Sequence, residues 1–154
     1  MTLNKQALIN ELPQGRLEER HYRIEENPMP EMPDDGVLVK TQAFAITAGT
    51  RAGLQGSASY AGAPKTDIVM NGTGVGEVVE SNSANLPVGT KVMGPTGWQA
   101  YSAHQAKALS VIPEAHDAIH YLGPMGVNGL TAYFGLFDVG QPQDGEMVLS
   151  LIHI

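Results

Sequence analysis

The sequence contains no cysteine. That excludes disulfides, a thiolate nucleophile and any cysteine-ligated zinc. Basic residues are scarce: nine Lys and Arg stand against sixteen Asp and Glu, a formal net charge of −7. A nucleic-acid binder normally presents a basic face to neutralise phosphates, so this balance argues against that class. No apolar run approaches the roughly 18 residues of a membrane helix. Residues 1–22 lack the roughly 7–15-residue apolar centre of a signal peptide. The expectation is a cytoplasmic protein with no nucleic-acid or membrane partner. Charged residues are only 16% of the chain, yet 42% are hydrophobic and no long charge run occurs. That composition supports a core and excludes global disorder.

Turn formers are plentiful, with Gly 18 and Pro 10 in 154 residues. The chain up to Pro113 reads as short strands between turns. Tyr22–Glu25 alternates and stops before Asn27-Pro28. Asp34-Asp35-Gly36 is a tight turn, and Val37–Ile46 is β-branched and aromatic enough for a long strand. Thr47–Thr66 reads as a Gly/Ala/Ser-rich loop. Val69–Glu80 reads as a strand bent by glycines. Shorter strands are expected at Gly89–Gly94, Trp98–Ala103 and Ala108–Ile112. Five or more short strands at close spacing suggest a small barrel or sandwich. After Pro113 a short helix is expected over Glu114–Leu122. Leu130, Tyr133, Phe134 and Phe137 then form a helical stripe, closed by Gly140 and Pro142. Met147-Val148-Leu149 reads as the start of a buried strand.

The chemistry-bearing patterns are sparse. Gly72-Thr73-Gly74-Val75-Gly76 lacks the G-x-G-x-x-G spacing of a dinucleotide loop, and strand-like residues follow it. A bent strand is the better reading. His116 and His120 lie four apart and fit either a solvated helix face or two ligands of a zinc site that lacks a third. Trp98 and the stripe Tyr133/Phe134/Phe137 read most simply as core. No nucleophile elbow or phosphate loop occurs.

The stretch Leu122-Gly123-Pro124-Met125-Gly126-Val127-Asn128-Gly129-Leu130-Thr131-Ala132-Tyr133-Phe134-Gly135-Leu136 resembles the segment that joins the two domains of zinc-independent medium-chain dehydrogenase/reductases. Within them it is most similar to the prostaglandin reductase and alkenal double-bond reductase group. Gly97–Tyr101, Glu77–Asn82 and Asp138–Glu146 fit the same pattern, so the resemblance runs from about Gln6 to Leu149. It implies a mainly β fold: a GroES-like substrate domain over residues 1–122, then a linking helix and the first strand of an incomplete Rossmann domain over 123–154. It implies hydride transfer from NADPH, without zinc, to the β-carbon of an α,β-unsaturated ketone or aldehyde. A quinone reductase on the same scaffold and a non-enzymatic GroES-like module are the alternatives. A homodimer of the complete protein is compatible with the resemblance.

Site residues carry over one at a time. Thr131 matches a threonine beside the nicotinamide; its hydroxyl bonds either the carboxamide or its own helix backbone. Val127 is a second cofactor contact, although Val127 and Asn128 replace the group's usual Met and Pro. Thr47-Ala48-Gly49-Thr50-Arg51 stands where the group has Asp-Pro-Tyr-Met-Arg. Only Arg51 survives, as a substrate-binding candidate, and Gly49 replaces the substrate-facing tyrosine. Tyr60 matches a second pocket tyrosine and is the candidate substrate contact and proton donor, or else an ordinary loop tyrosine. Finally, Leu149-Ser150-Leu151-Ile152-His153-Ile154 is the translation of a transposase mosaic-end adapter, CTG TCT CTT ATA CAC ATC. The expectation is that residues 149–154 are non-native and that the natural protein is longer.

Overall fold

The computed structural model describes residues 2–55 and 63–149. Among the described residues seven strands carry the fold: β1 (Asn4–Ile9), β2 (Tyr22–Asn27), β3 (Gly36–Phe44), β4 (Gly74–Ser81), β5 (Lys91–Gly94), β6 (Tyr101–Gln105) and β7 (Ser110–Val111). β1 and β2 pair antiparallel as a separate ribbon, and the other five form an antiparallel sheet in the order β6-β3-β4-β5-β7. In β3, Val37 and Val39 share one face and are buried with Val78, Leu86, Val92 and Ala106, while Leu38 on the other face is buried too and only the second half of the strand alternates. In an antiparallel pair, residues directly opposite share a face, so His104 and Ser102, opposite Val37 and Val39, turn inward as well.

The glycine-rich strand is confirmed. β4 holds Gly74 and Gly76, and its register with β3 slips at Leu38/Val39 and again at Thr41/Ala43. A Cβ on Gly76 would collide with the Lys40 carbonyl and lie 2.8 Å from Val39 Cγ1. Glycine is required here for close backbone approach inside a sheet, which is the opposite of an open phosphate loop.

The ribbon is stitched to the sheet by side-chain amides and irregular backbone. Asn4 is fully buried. Its Nδ2 donates to the Tyr101 carbonyl at 2.8 Å, and its Oδ1 accepts from the Tyr101 N–H at 2.9 Å. Ala7 N–H donates to the Trp98 carbonyl, and Met70 N–H to the Ala7 carbonyl. The amide of Asn4 therefore does for Tyr101 what a neighbouring strand would do. Behind this seam Ile9, Leu54 and Met70 form a second core, flanked by Leu12, Leu17, Tyr22 and Trp98. Trp98 stacks between Tyr22 (5.7 Å) and Phe44 (5.1 Å), as its core assignment required.

Four expectations are corrected. Part of the expected loop, Ala48–Gln55, is a helix, α1. Its single large apolar residue, Leu54, is too little periodicity to read, but it anchors in the Ile9/Met70 core, and Thr47 and Thr50 cap one another at the first turn. The aromatic stripe is not core. It lies on α2 (Val127–Phe134) and the π-helical turn Gly135–Gly140. Tyr133, Phe134 and Phe137 are all more than half exposed, because no element among the described residues packs on that face. Met147–Leu149 forms no strand and is exposed, since no strand among the described residues lies beside it to share hydrogen bonds. The expected helix before α2 is a five-residue 3-10 turn, Ala118–Leu122, capped by Asp117, whose carboxylate accepts from the Ile119 N–H.

Candidate active-site groove

A groove of about 940 Å³ opens where three parts of the chain meet. One wall is the first turn of α1, Thr47–Thr50, continued by Gly53. A second is the segment Ile68–Thr73 that leads into β4. The third is the N-terminus of α2, at Val127 and Asn128. Ala63, Pro64 and Lys65 complete the rim. The lining is mainly glycine, alanine and other apolar residues, with Thr47, Thr50, Thr73, Asn71 and Asn128 as neutral polar groups. Ligand sites commonly combine an apolar lining with a few placed polar groups.

Local sequence explains the geometry. Thr47 and Thr50 exchange backbone-to-hydroxyl bonds, each 3.3 Å, and their hydroxyls lie 3.1 Å apart. That reciprocal cap fixes the angle at which β3 turns into α1. Gly72 lies against the indole: a Cβ there would come within 2.8 Å of Trp98 Cδ1 and Nε1. The stacked rings thus back the groove wall and hold Gly72 in place. A second cavity, about 670 Å³ and lined by Leu3, Met29, Leu38 and Tyr101 among others, contains none of the candidate site residues.

The candidates fare unequally. Val127 lines the groove and is 76% exposed. Thr131 stands one turn later; its hydroxyl donates to the Val127 carbonyl at 2.7 Å. The backbone-bonded alternative for this hydroxyl is therefore the one observed, and the oxygen keeps lone pairs to accept a further bond. Arg51 does not line the groove. Its guanidinium donates to the Gly15 carbonyl and ties α1 to the turn after β1. It also opposes the rise that burial imposes on the Tyr22 hydroxyl pKa. Tyr60 lies outside the described residues. His116 and His120 are exposed, with His116 tilted against Tyr121 at 6.5 Å. No group of three or more His, Asp or Glu side chains suited to a metal ion occurs among the described residues. Lys65 and Asn71 were missed by sequence reasoning; they carry no periodic or motif signal, and only the fold brings them to one groove. Thr73 stands in the glycine cluster that was read as a bent strand and not as part of a site.

Residues 5–112 match the family model described as the N-terminal domain of oxidoreductase. YfmJ of Bacillus subtilis (strain 168) is 37% identical over 151 residues, 97% of this chain and 44% of YfmJ. The NADPH-dependent curcumin reductase of Escherichia coli (strain K12) is 32% identical over 149 residues, 95% of this chain and 43% of that enzyme. The crystal structure of CurA from Vibrio vulnificus in complex with NADPH has a TM-score of 0.82 at 29% identity, covering 92% of this chain and 42% of CurA. The chain therefore spans less than half the length of the curated relatives it matches. The chain therefore belongs to the oxidoreductase N-terminal-domain family and has its GroES-like fold.

Proposed function

We propose that this chain is the substrate-side part of an NADPH-dependent reductase acting on the carbon–carbon double bond of α,β-unsaturated ketones or aldehydes. The observation that carries the reading is the groove, which joins the first turn of α1 to the start of α2. Its chemistry suits the task. Val127 offers an exposed apolar surface for one face of a flat ring. The Thr131 hydroxyl, already donating to its own helix, is left as an acceptor for a carboxamide N–H. NADPH, when bound, supplies the hydride. The chain's own residues would hold the alkene beside it, exclude water and polarise the carbonyl. Tyr60 is the proposed proton donor, because a phenol can stabilise an enolate oxygen and then return a proton. Arg51 now takes a structural role in this proposal, since its guanidinium is engaged by Gly15.

The test joins residues 1–148 to the C-terminal part of the curcumin reductase relative and follows NADPH oxidation. The expected result is turnover of 2-alkenals and aryl enones that falls in Tyr60→Phe. Turnover of quinones alone, or unchanged turnover in Tyr60→Phe, would overturn the assignment in whole or in that part.

A further inference from the structure

Lys65 is the only ionisable side chain among the described residues that line the groove. This is unusual for a chain with sixteen acidic and nine basic residues, where a random lining would carry a carboxylate more often than an amine. Nor is Lys65 neutralised by a neighbour. The ion pairs among the described residues all belong to Arg20 and Arg23. Asp67, two residues further on, is held by Arg23 Nη1 at 2.9 Å. The nearest carboxylate in sequence is thereby drawn to β2, and the ammonium at the rim has no counter-ion among the described residues. Arg51, the cation expected from sequence to meet the substrate, is turned away to Gly15.

We propose that the groove takes a ligand bearing an anionic group and that Lys65 recognises it. The inference rests on reading the groove as the ligand cleft. Within an otherwise uncharged apolar lining, one unpaired cation favours a carboxylate- or phosphate-bearing ligand over its neutral analogue, both by steering its approach and by pairing with it. The anion belongs either to the unsaturated carbonyl compound or to the dinucleotide, and the two are separable.

The single tryptophan, Trp98, backs the groove wall at Gly72 and reports binding by its fluorescence. The 154-residue chain is titrated with benzylideneacetone, with its 4-carboxy derivative and with 2′,5′-ADP, in low and high salt. Lys65→Met and Lys65→Glu are titrated alongside. The carboxylated enone or 2′,5′-ADP is expected to bind wild type about two- to five-fold more tightly than Lys65→Met, the range for a solvent-facing ion pair. The advantage should vanish in high salt, and Lys65→Glu should bind still more weakly. An effect on the enone alone assigns the anion to the substrate; an effect on 2′,5′-ADP alone assigns it to the cofactor. If neither anion responds to Lys65 while benzylideneacetone still binds, the anion proposal fails and the groove reading stands. If benzylideneacetone does not quench Trp98 at all, the groove reading itself fails.

Discussion

Asn4→Ala should be among the most damaging single truncations in the chain, although it removes only a small polar group from the first residue of β1. Asn4 is fully buried and makes three bonds: to the Tyr101 carbonyl at 2.8 Å, from the Tyr101 N–H at 2.9 Å, and to Gln99 Oε1 at 3.2 Å. Alanine leaves one backbone donor and one backbone acceptor of Tyr101 without those partners. A buried group so stranded costs about 1–3 kcal/mol, so a loss of about 2–4 kcal/mol is expected once the freed space admits some relaxation. In a domain of this size each kcal/mol lowers Tm by roughly 2–4 °C. Urea unfolding followed by the fluorescence of the single tryptophan measures the loss directly. Trp98 lies on the same seam, its carbonyl accepting from the Ala7 N–H at 2.9 Å. The internal control is Asn27→Ala, which removes a half-buried amide bonded to Gln6 at 2.9 Å and should cost less than about 1 kcal/mol. If Asn4→Ala is no worse than Asn27→Ala, the stitching role assigned to Asn4 is wrong.

Gly76→Ala forces a Cβ onto the Lys40 carbonyl and Val39 Cγ1; overpacking of this kind costs about 1–3 kcal/mol, to be read from the same urea transition. Burial lowers the pKa of His104, while in the unfolded chain it returns to about 6.5. The unfolded state then binds more protons, so stability is full above that value and falls as pH drops through it toward the lowered folded value. Thermal melts from pH 8 to pH 5 should show this decline, and it should flatten in His104→Gln. The exposed row Leu130, Tyr133, Phe134 and Phe137 should make the chain self-associate and bind an apolar dye; Phe134→Glu with Phe137→Glu should reduce both, as read by light scattering and dye fluorescence. Titrating the 154-residue chain with NADPH should give only weak binding, because among the described residues no strand runs into a G-x-G-x-x-G turn and helix that would hold the pyrophosphate. Tight saturation would refute that expectation.

Strands were legible wherever the sequence alternates or supplies β-branched residues, as in Val37-Leu38-Val39 and Val75–Val79. The bend in β4 was legible too, because glycines inside a valine-rich strand have few other uses. α1 was not, since Ala48–Gln55 has one large apolar residue and its helix depends on Leu54 finding Ile9 and Met70. Val127 and Thr131 were found through the motif around them. Lys65 and Asn71 were not, because nothing local marks a residue whose importance is where its neighbours from 60 positions away come to rest.

By itself, the sequence determined the absence of cysteine chemistry, the acidic balance, the strand-rich front and the helix that follows it. These are properties of composition and of short-range period, which a chain carries before it folds. Only the tertiary structure decided that Asn4 would serve as a strand edge for Tyr101, that Arg51 would bond Gly15 instead of lining the groove, and that Lys65 would stand at its rim. Each of those outcomes depends on which distant backbone or side chain satisfies a polar group after burial. That choice is made by packing and not by the order of residues along a segment.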